Sequence, residues 1–226
     1  MNISKRNKKV AISRWKKKHS EERAKIKNNR EALLLKASIC GFLAGDGSVQ
    51  KRKEKSFFHY QIDFFPDDPL MRDTYIKQIK KVYEKEPTLK KMNNFYTVRL
   101  TSKVVVEDLL ALSNFKTKEW RIPKSLVLVE GAVENWLKAF FSAEAYVSLK
   151  SIKIQTVNEK GMNDIANALR IIDINTKQYE YSPKKDTHSK VSILFINKKS
   201  DRLKFLSKIG FWHQKKTKRL SESLDL

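Results

Sequence analysis

The sequence predicts an α+β fold built from two pseudo-symmetric units, each with the element order αββαββα. Helix-like and strand-like apolar spacings alternate along the chain, and the same order occurs twice. Matching landmarks keep a nearly constant offset: Asp46 and Glu144 are 98 residues apart, and Ser113 and Ser207 are 94 apart. A single period of about 95 residues indicates an internal duplication. Gly and Pro together account for only 11 of 226 residues, which favours a chain dense in helix and strand.

The first unit is predicted to contain a helix, two strands, a helix, further strands and a last helix. Helices are predicted where apolar residues recur every three or four positions, at 32–44, 70–83 and 104–112. Strands are predicted where apolar residues alternate, at 56–65 and 95–101. The charged run 51–55 is the predicted tip of the first hairpin, and Pro66-Asp67-Asp68 ends its second strand.

The second unit repeats this order. Its helices are predicted at 133–143, 162–172 and 202–211. Its strands are predicted at 146–157, with a turn near Ser151, and at 179–181 and 191–196. We therefore expect a basic N-terminal extension at 1–30, a first unit at 31–120, a linker at 121–132 and a second unit at 133–226.

The chain is strongly basic, with 48 Lys and Arg against 25 Asp and Glu and a formal net charge of +23. Residues 1–30 hold 12 of the basic residues and only Glu21 and Glu22 as acids, a net charge of +10. Such an excess indicates a polyanionic partner, first of all nucleic acid, because each Lys or Arg set on a phosphate releases counterions. The alternatives for 1–30 are a solvated tail and a membrane-surface helix, for which the apolar stripe is thin.

Cysteine content and hydropathy restrict the class of protein. Cys40 is the only cysteine, so no internal disulfide and no Cys-x-x-Cys zinc site can form, and a reducing compartment is expected. No run approaches the ~18 apolar residues of a membrane span, and the basic N-terminus lacks the apolar segment of a secretory signal. We expect an intracellular protein with no membrane partner, in the cytoplasm or, in a eukaryote, in an organelle.

Each unit opens with the same kind of helix end, ICGFLAGDG at 39–47 and LKAFFSAEA at 137–145. Small residues stand four positions apart in both, at Gly41 and Gly45 and at Ala139 and Ala143. Residues at this spacing share one helix face, and small side chains let two backbones approach closely. The two helices are therefore predicted to pack on each other.

That packing would carry Asp46 and Glu144 to the same end of the helix pair. A carboxylate at a helix C-terminus is disfavoured by about 0.3–1 kcal/mol, and two neighbouring carboxylates also repel each other. A divalent cation such as Mg²⁺ removes this conflict, since it binds one or two carboxylates together with phosphate oxygens and water, as in nucleases. The structural alternative is a pair of ordinary capping acids near a buried interface.

These residues resemble a known family. The two segments are similar to the paired LAGLIDADG motifs of single-chain homing endonucleases, and the order αββαββα around each is similar to that family over roughly residues 31–212. The first motif fits at its four marker positions, Gly41, Gly45, Asp46 and Gly47. The second has Ala139 and Ala145 where the first has Gly.

The resemblance implies a site-specific DNA endonuclease, encoded within an intron or intein, in which the LAGLIDADG helices pack at the interface of the units. It implies a monomer that binds a long asymmetric duplex site on a β-sheet saddle and cuts both strands with Mg²⁺, usually leaving 3′ overhangs. Asp46 and Glu144 would be the catalytic, metal-binding acids. The family also places a basic or polar side chain near the scissile phosphates, and Lys153 and Gln155 are the candidates because Phe65 and Pro66 do not suit that role.

The alternation of the strands indicates a nucleic-acid surface independently. If Ile62 and Ile154 face the core, their neighbours in the strands face the other way, and Arg, Lys and Gln there suit the edges of bases in the major groove. The candidate DNA-binding residues are Lys51, Arg52, Lys53, Gln61, Asp63, Arg99, Lys150, Lys153, Gln155, Lys184 and Lys185. For any one of them alone, a solvated strand face is an equal alternative.

Other catalytic schemes are not favoured, since the four His residues lack metal-site spacing and Gly45-Asp46-Gly47 lacks the Lys of a phosphate-binding loop. The competing function is a non-cleaving binder, either an RNA maturase that assists intron splicing or a DNA-binding regulator. Acids at both positions favour cleavage, because a pure binder would gain by losing charges that repel phosphate.

Overall fold

The computed structural model describes residues 3–55, 57–91, 95–182 and 189–226. Three predicted helices and two predicted strands of the first half are present within a few residues of their expected bounds. The elements of this half are α1 (Ile3–Ala24), α2 (Arg30–Asp46), β1 (Gly47–Glu54), β2 (Phe57–Phe64), α3 (Pro69–Tyr83), β3 (Thr88–Lys91), β4 (Tyr96–Leu100) and α4 (Lys103–Leu112).

The second half follows the same order after a short connecting helix. Its elements are α5 (Lys124–Val127), α6 (Ala132–Glu144), β5 (Tyr146–Val147), β6 (Ile152–Thr156), α7 (Glu159–Ile171), β7 (Lys177–Tyr181), β8 (Val191–Ile196), α8 (Lys199–Lys208) and α9 (Gln214–Glu222). Helix α9 was not predicted, and α8 ends three residues before the expected Phe211.

Two antiparallel sheets have the same topology, with strand orders β1-β2-β4-β3 and β5-β6-β8-β7. Their registers also correspond. Ser48, which lies two positions after Asp46, pairs with Asp63. Tyr146, which lies two positions after Glu144, pairs with Lys153. The predicted duplication and the α+β fold class are therefore confirmed.

Helices α2 and α6 lie at the centre and approach each other closely. A Cβ atom built on Gly41 would lie 2.3 Å from the carbonyl oxygen of Trp136 and 3.0 Å from Cβ of Ala139. One built on Gly45 would lie 2.6 Å from Cβ of Ala143. The small residues therefore permit this packing, as the sequence predicts.

Local capping and core packing fix the bounds of these elements. The Asn29 side chain accepts a hydrogen bond from the Ala32 amide and begins α2, and Asp68 does the same for α3, with Pro69 at its first position. The buried apolar side chains of both units form one continuous core. In this core the Trp136 and Phe140 rings stack with their centroids 4.9 Å apart.

The N-terminal segment forms a helix that docks on the first unit, in place of the solvated tail considered above. Lys85 donates to Glu22 at 2.9 Å, and Nζ of Lys103 lies 4.1 Å from the centre of the Trp15 ring. Among the described residues, no helix is both long and apolar enough to cross a membrane.

Candidate active site

Asp46 is the last residue of α2 and Glu144 is the last residue of α6. A Cβ atom built on Gly45, the residue before Asp46, would lie 3.3 Å from Cγ of Glu144. The two acids therefore end their helices side by side. In each unit, the acid lies just before the first strand of the sheet. This is the arrangement that the spacing of small residues predicts.

The electrostatics of the pair are those of two carboxylates brought together and partly removed from water. Burial raises the pKa of Asp46, while Lys216 lowers it and Asp67 raises it. Burial, and after it the charge of Asp46, raise the pKa of Glu144 to about 7, against a lowering by Lys216. Each carboxylate is thus in a site that disfavours its charge unless a cation is near.

Lys216 is a residue of this site that the sequence interpretation missed. It lies on α9, and its Nζ donates to the carbonyl oxygens of Ser142 at 2.6 Å and Ala143 at 2.8 Å, in the last turn of α6. Burial lowers the pKa of Lys216, and the charges of Asp67, Asp46, Glu144 and Asp68 act to raise it. No sequence signal pointed to it, because α9 lies outside the duplicated pattern and carries several lysines.

Residues after β2 connect the first unit to the segment that carries Lys216. His213 lies 3.4 Å from the carboxylates of both Asp67 and Asp68. The Gln214 amide donates to Oδ2 of Asp68 at 3.1 Å. Asp68 therefore caps α3 through one oxygen and holds the start of α9 through the other.

The donor set suits a hard divalent cation. Asp46 and Glu144 offer carboxylate oxygens, the ligands that Mg²⁺ prefers, and their raised pKa values mark a place where a cation would relieve repulsion. Within the described ranges, no three His, Cys, Asp or Glu residues group into a complete metal cage. A cation here would need further oxygens from outside the protein, such as phosphate and water.

Lys153 and Gln155 lie on β6, on the face opposite the buried Ile152 and Ile154. Gln155 is exposed, and Nζ of Lys153 lies 6.0 Å from the centre of the Phe195 ring. Lys153 pairs with Tyr146, the first residue of β5, which lies two positions after Glu144. Their assistance in catalysis stays a prediction.

The equivalent face of the first sheet carries a closed cluster. Arg99 donates to Asp63 at 2.7 and 3.1 Å, and Gln61 donates to the same carboxylate at 2.6 Å. Asp63 is only 5% exposed. The three side chains share a face as predicted, but Asp63 is covered and engaged by its neighbours. Its direct contact with a base therefore has no support from this arrangement.

The remaining candidate DNA-binding residues divide between surfaces. Register places Arg52 opposite His59, on the face that carries Gln61. Lys51 and Lys53 lie on the other face, and Nζ of Lys51 is 5.7 Å from the Phe58 ring. The shared-face argument therefore does not extend to Lys51 and Lys53, because strand residues alternate in direction.

Two further predictions concern loops. Lys150 is exposed in the turn between β5 and β6. Lys184 and Lys185 lie outside the described residues.

Comparison with known proteins agrees with this geometry. Residues 132–210 match the family model of a LAGLIDADG-like domain. A stretch of 190 residues is 27% identical to Replication factor C small subunit of Methanocaldococcus jannaschii, covering 82% of this chain and 10% of that protein. The chain thus spans about a tenth of the length of this curated relative.

Solved structures of homing endonucleases share the fold. I-DmoI in complex with DNA and Mn is similar with a TM-score of 0.64 and 17% identity, over 79% of this chain and 97% of that one. The homing endonuclease I-WcaI bound to its DNA recognition sequence is similar with a TM-score of 0.56 and 17% identity, over 83% and 86% of the two chains. Residues 132–210 are therefore similar to a LAGLIDADG-like domain, and the chain shares the two-unit fold of these homing endonucleases.

Proposed function

We propose that this protein is a site-specific endonuclease that hydrolyses both strands of duplex DNA with Mg²⁺. The observation that carries the proposal is the pair formed by Asp46 and Glu144 at the joined ends of α2 and α6, with pKa values raised by burial. Structural capping acids would gain nothing from this placement, since it costs stability at two helix ends and again through repulsion.

The two carboxylates would bind the cation against the scissile phosphates. When bound, a divalent cation activates water and neutralises the charge that develops on the leaving oxygen. Asp46 and Glu144 come from one chain, so a monomer supplies both acids. In this proposal Lys153 and Gln155, which lie on β6 away from the core, would contact phosphate or water near Glu144.

The two sheets would hold the DNA. A net charge of +23 supports a phosphate-binding surface, and affinity should fall steeply with salt. The sheets differ at equivalent positions, where Asp63 and Arg99 correspond to Lys153 and Phe195. An asymmetric target site is the natural partner of such an asymmetric saddle.

The chain is further proposed to be encoded within an intron or intein. The matched segment makes up a tenth of a replication protein in the curated relative, which supports a module carried inside a host gene. The host DNA sequences on the two sides of the insertion, joined without it, would then be the target to test first.

The alternative is a non-cleaving binder such as an RNA maturase. Lys216 favours it, because a lysine beside the acids offsets their charge without any metal. Against it, Lys216 donates to backbone carbonyls, so both carboxylates keep oxygens for a cation.

Cleavage of a duplex that contains the uninterrupted host sequence separates these functions. With Mg²⁺ we expect both strands to be cut within one target site, and with Ca²⁺ or EDTA we expect binding without cutting. Specific binding with no cleavage in Mg²⁺ or Mn²⁺ would favour the non-cleaving alternative. Binding of the excised-intron RNA in preference to the duplex would identify that alternative as a maturase.

A further inference from the structure

We propose that Lys216 is a positioning residue of this active site, which holds the last turn of α6, and with it Glu144, and supplies a fixed positive charge beside both acids. The inference rests on the proposed function, because it assigns a role at the same pair of carboxylates. It adds a residue from α9, which lies beyond the stretch that matches the family model.

The contact with α6 is direct. The last carbonyl groups of a helix lack partners within it, and Nζ of Lys216 donates to two of these, from Ser142 and Ala143, at 2.6 and 2.8 Å. Glu144 follows Ala143 immediately. An ammonium group has three donors, so one remains to face water, phosphate or a carboxylate.

Helix α9 is held in place from both units, which fixes Lys216. In the first unit, Oδ2 of Asp68 accepts from the Gln214 amide at 3.1 Å. In the second, Oγ of the buried Ser142 accepts from the Trp212 amide at 2.7 Å. Leu220 is fully buried on the same helix. The lysine is therefore an anchored group, unlike its exposed neighbours Lys215 and Lys218.

The contact is present at only one of the two helix ends. Within the described part of the chain, no side chain donates to the last carbonyls of α2 in the way that Lys216 donates to those of α6. Glu144 thus ends a helix whose last carbonyl groups bind the ammonium group of Lys216, whereas Asp46 ends a helix without this contact. Lys216 therefore has two effects: it orders the α6 end, and its charge competes with a divalent cation for the acids.

These effects predict opposite changes in two measurements. In Lys216→Met the acids lose a competing charge, so Ca²⁺ should bind the protein–DNA complex about tenfold more tightly. The cleavage rate at saturating Mg²⁺ should fall at least about tenfold, because Glu144 is less well held. Lys215→Met, which removes the same charge from an exposed neighbour, should leave both values within about twofold of wild type.

A second variant keeps the test sound if Lys216→Met does not fold. Lys216→Gln removes the charge and keeps an N–H donor on a side chain that is one bond shorter, so it should bind Ca²⁺ more tightly with a smaller loss of rate. Calorimetric titration of Ca²⁺ into the full-length protein with bound duplex measures this without cleavage.

Two results would overturn the inference. One is a Ca²⁺ affinity of Lys216→Gln that equals that of Lys215→Met. The other is a rate in Lys216→Met that falls only in proportion to its folded fraction. A wild-type protein that binds DNA and Ca²⁺ but never cleaves would overturn the proposed function alone, since the effect of Lys216 on Ca²⁺ affinity would still be measured.

Discussion

Arg99 binds Asp63 through two hydrogen bonds across β2 and β4, at the register position that Phe195 and Lys153 occupy in the second sheet. The duplicated fold therefore carries different chemistry on its two halves. In the first sheet a buried carboxylate is neutralised within the protein. In the second, Lys153 takes the position of Asp63, and its Nζ lies 6.0 Å from the centre of the Phe195 ring.

This difference predicts that removing the charged side chain of Arg99 lowers stability more than removing that of Lys153. Arg99→Ala should lower the free energy of unfolding by about 1–3 kcal/mol, because it leaves the carboxylate of Asp63 buried with Gln61 as its one remaining partner. The double variant Asp63→Ala/Arg99→Ala should recover part of that loss. Lys153→Ala, the matched change in the other sheet, should stay within about 0.5 kcal/mol of wild type. Urea unfolding of the four proteins checks this, and equal losses for Arg99→Ala and Lys153→Ala would contradict it.

The central helix pair predicts a strong response to added volume. Gly41→Leu and Ala139→Leu should each lower the free energy of unfolding by at least about 1–3 kcal/mol, since a Cβ on Gly41 would already lie 2.3 Å from a backbone oxygen. Ala111→Leu, which makes the same change as Ala139→Leu at an exposed position of α4, is the control and should change little. Melting temperatures of Gly41→Leu and Ala139→Leu that match that of the control would rule out the close approach of α2 and α6.

The raised pKa of Glu144 predicts a pH-dependent stability in the absence of metal. Its folded-state pKa of about 7 lies above its ordinary value of 4.5, so the folded protein retains this proton at pH values where the unfolded chain releases it. The resulting stabilisation is complete below about pH 4.5 and is lost as the pH rises through 7, at most about 3 kcal/mol. Unfolding in EDTA between pH 5 and 8 measures it. Glu144→Gln should remove this component of the slope, and an unchanged slope would exclude Glu144 as its source.

The N-terminal helix is predicted to add affinity without adding sequence preference. Deleting residues 1–14 removes five basic residues and keeps the docking contacts of Trp15 and Glu22. Binding to target and random duplexes should weaken alike, with a smaller dependence on salt, because such residues contact phosphates. Titrations of both duplexes at several salt concentrations test this, and a changed preferred sequence at unchanged affinity would contradict it.

Periodicity was sufficient for the parts of the fold whose residues pack on one face. The small residues of α2 and α6 predicted both the helix pair and the meeting of Asp46 with Glu144, because a spacing of four fixes a helix face. Helix α9 could not be predicted in this way. Its sequence QKKTKRLSE has one apolar residue, Leu220, and the helix is held by contacts from distant residues such as Asp68.

For the same reason, the strand pattern predicted the directions of the side chains on the sheets but not their contacts. Alternation placed Gln61, Asp63 and Arg99 on one face correctly, but it could not show that they bind one another, since that depends on the pairing of β2 with β4. It also could not reveal Lys216 at the acids, because that contact joins residues 73 and 74 positions apart in sequence.

Cleavage of each strand by Asp46→Asn and Glu144→Gln tests whether these two acids form the active site. The duplex would carry separate labels on its two strands, at saturating enzyme and Mg²⁺, with binding measured in Ca²⁺ and with Glu130→Gln, a change at an exposed acid, as control. Either variant should cut both strands at least about a hundredfold more slowly while binding as tightly as wild type or more tightly, because the acids hold the cation and the basic saddle supplies the affinity. Full-speed cleavage by either variant, or a loss of binding in step with cleavage, would contradict the account.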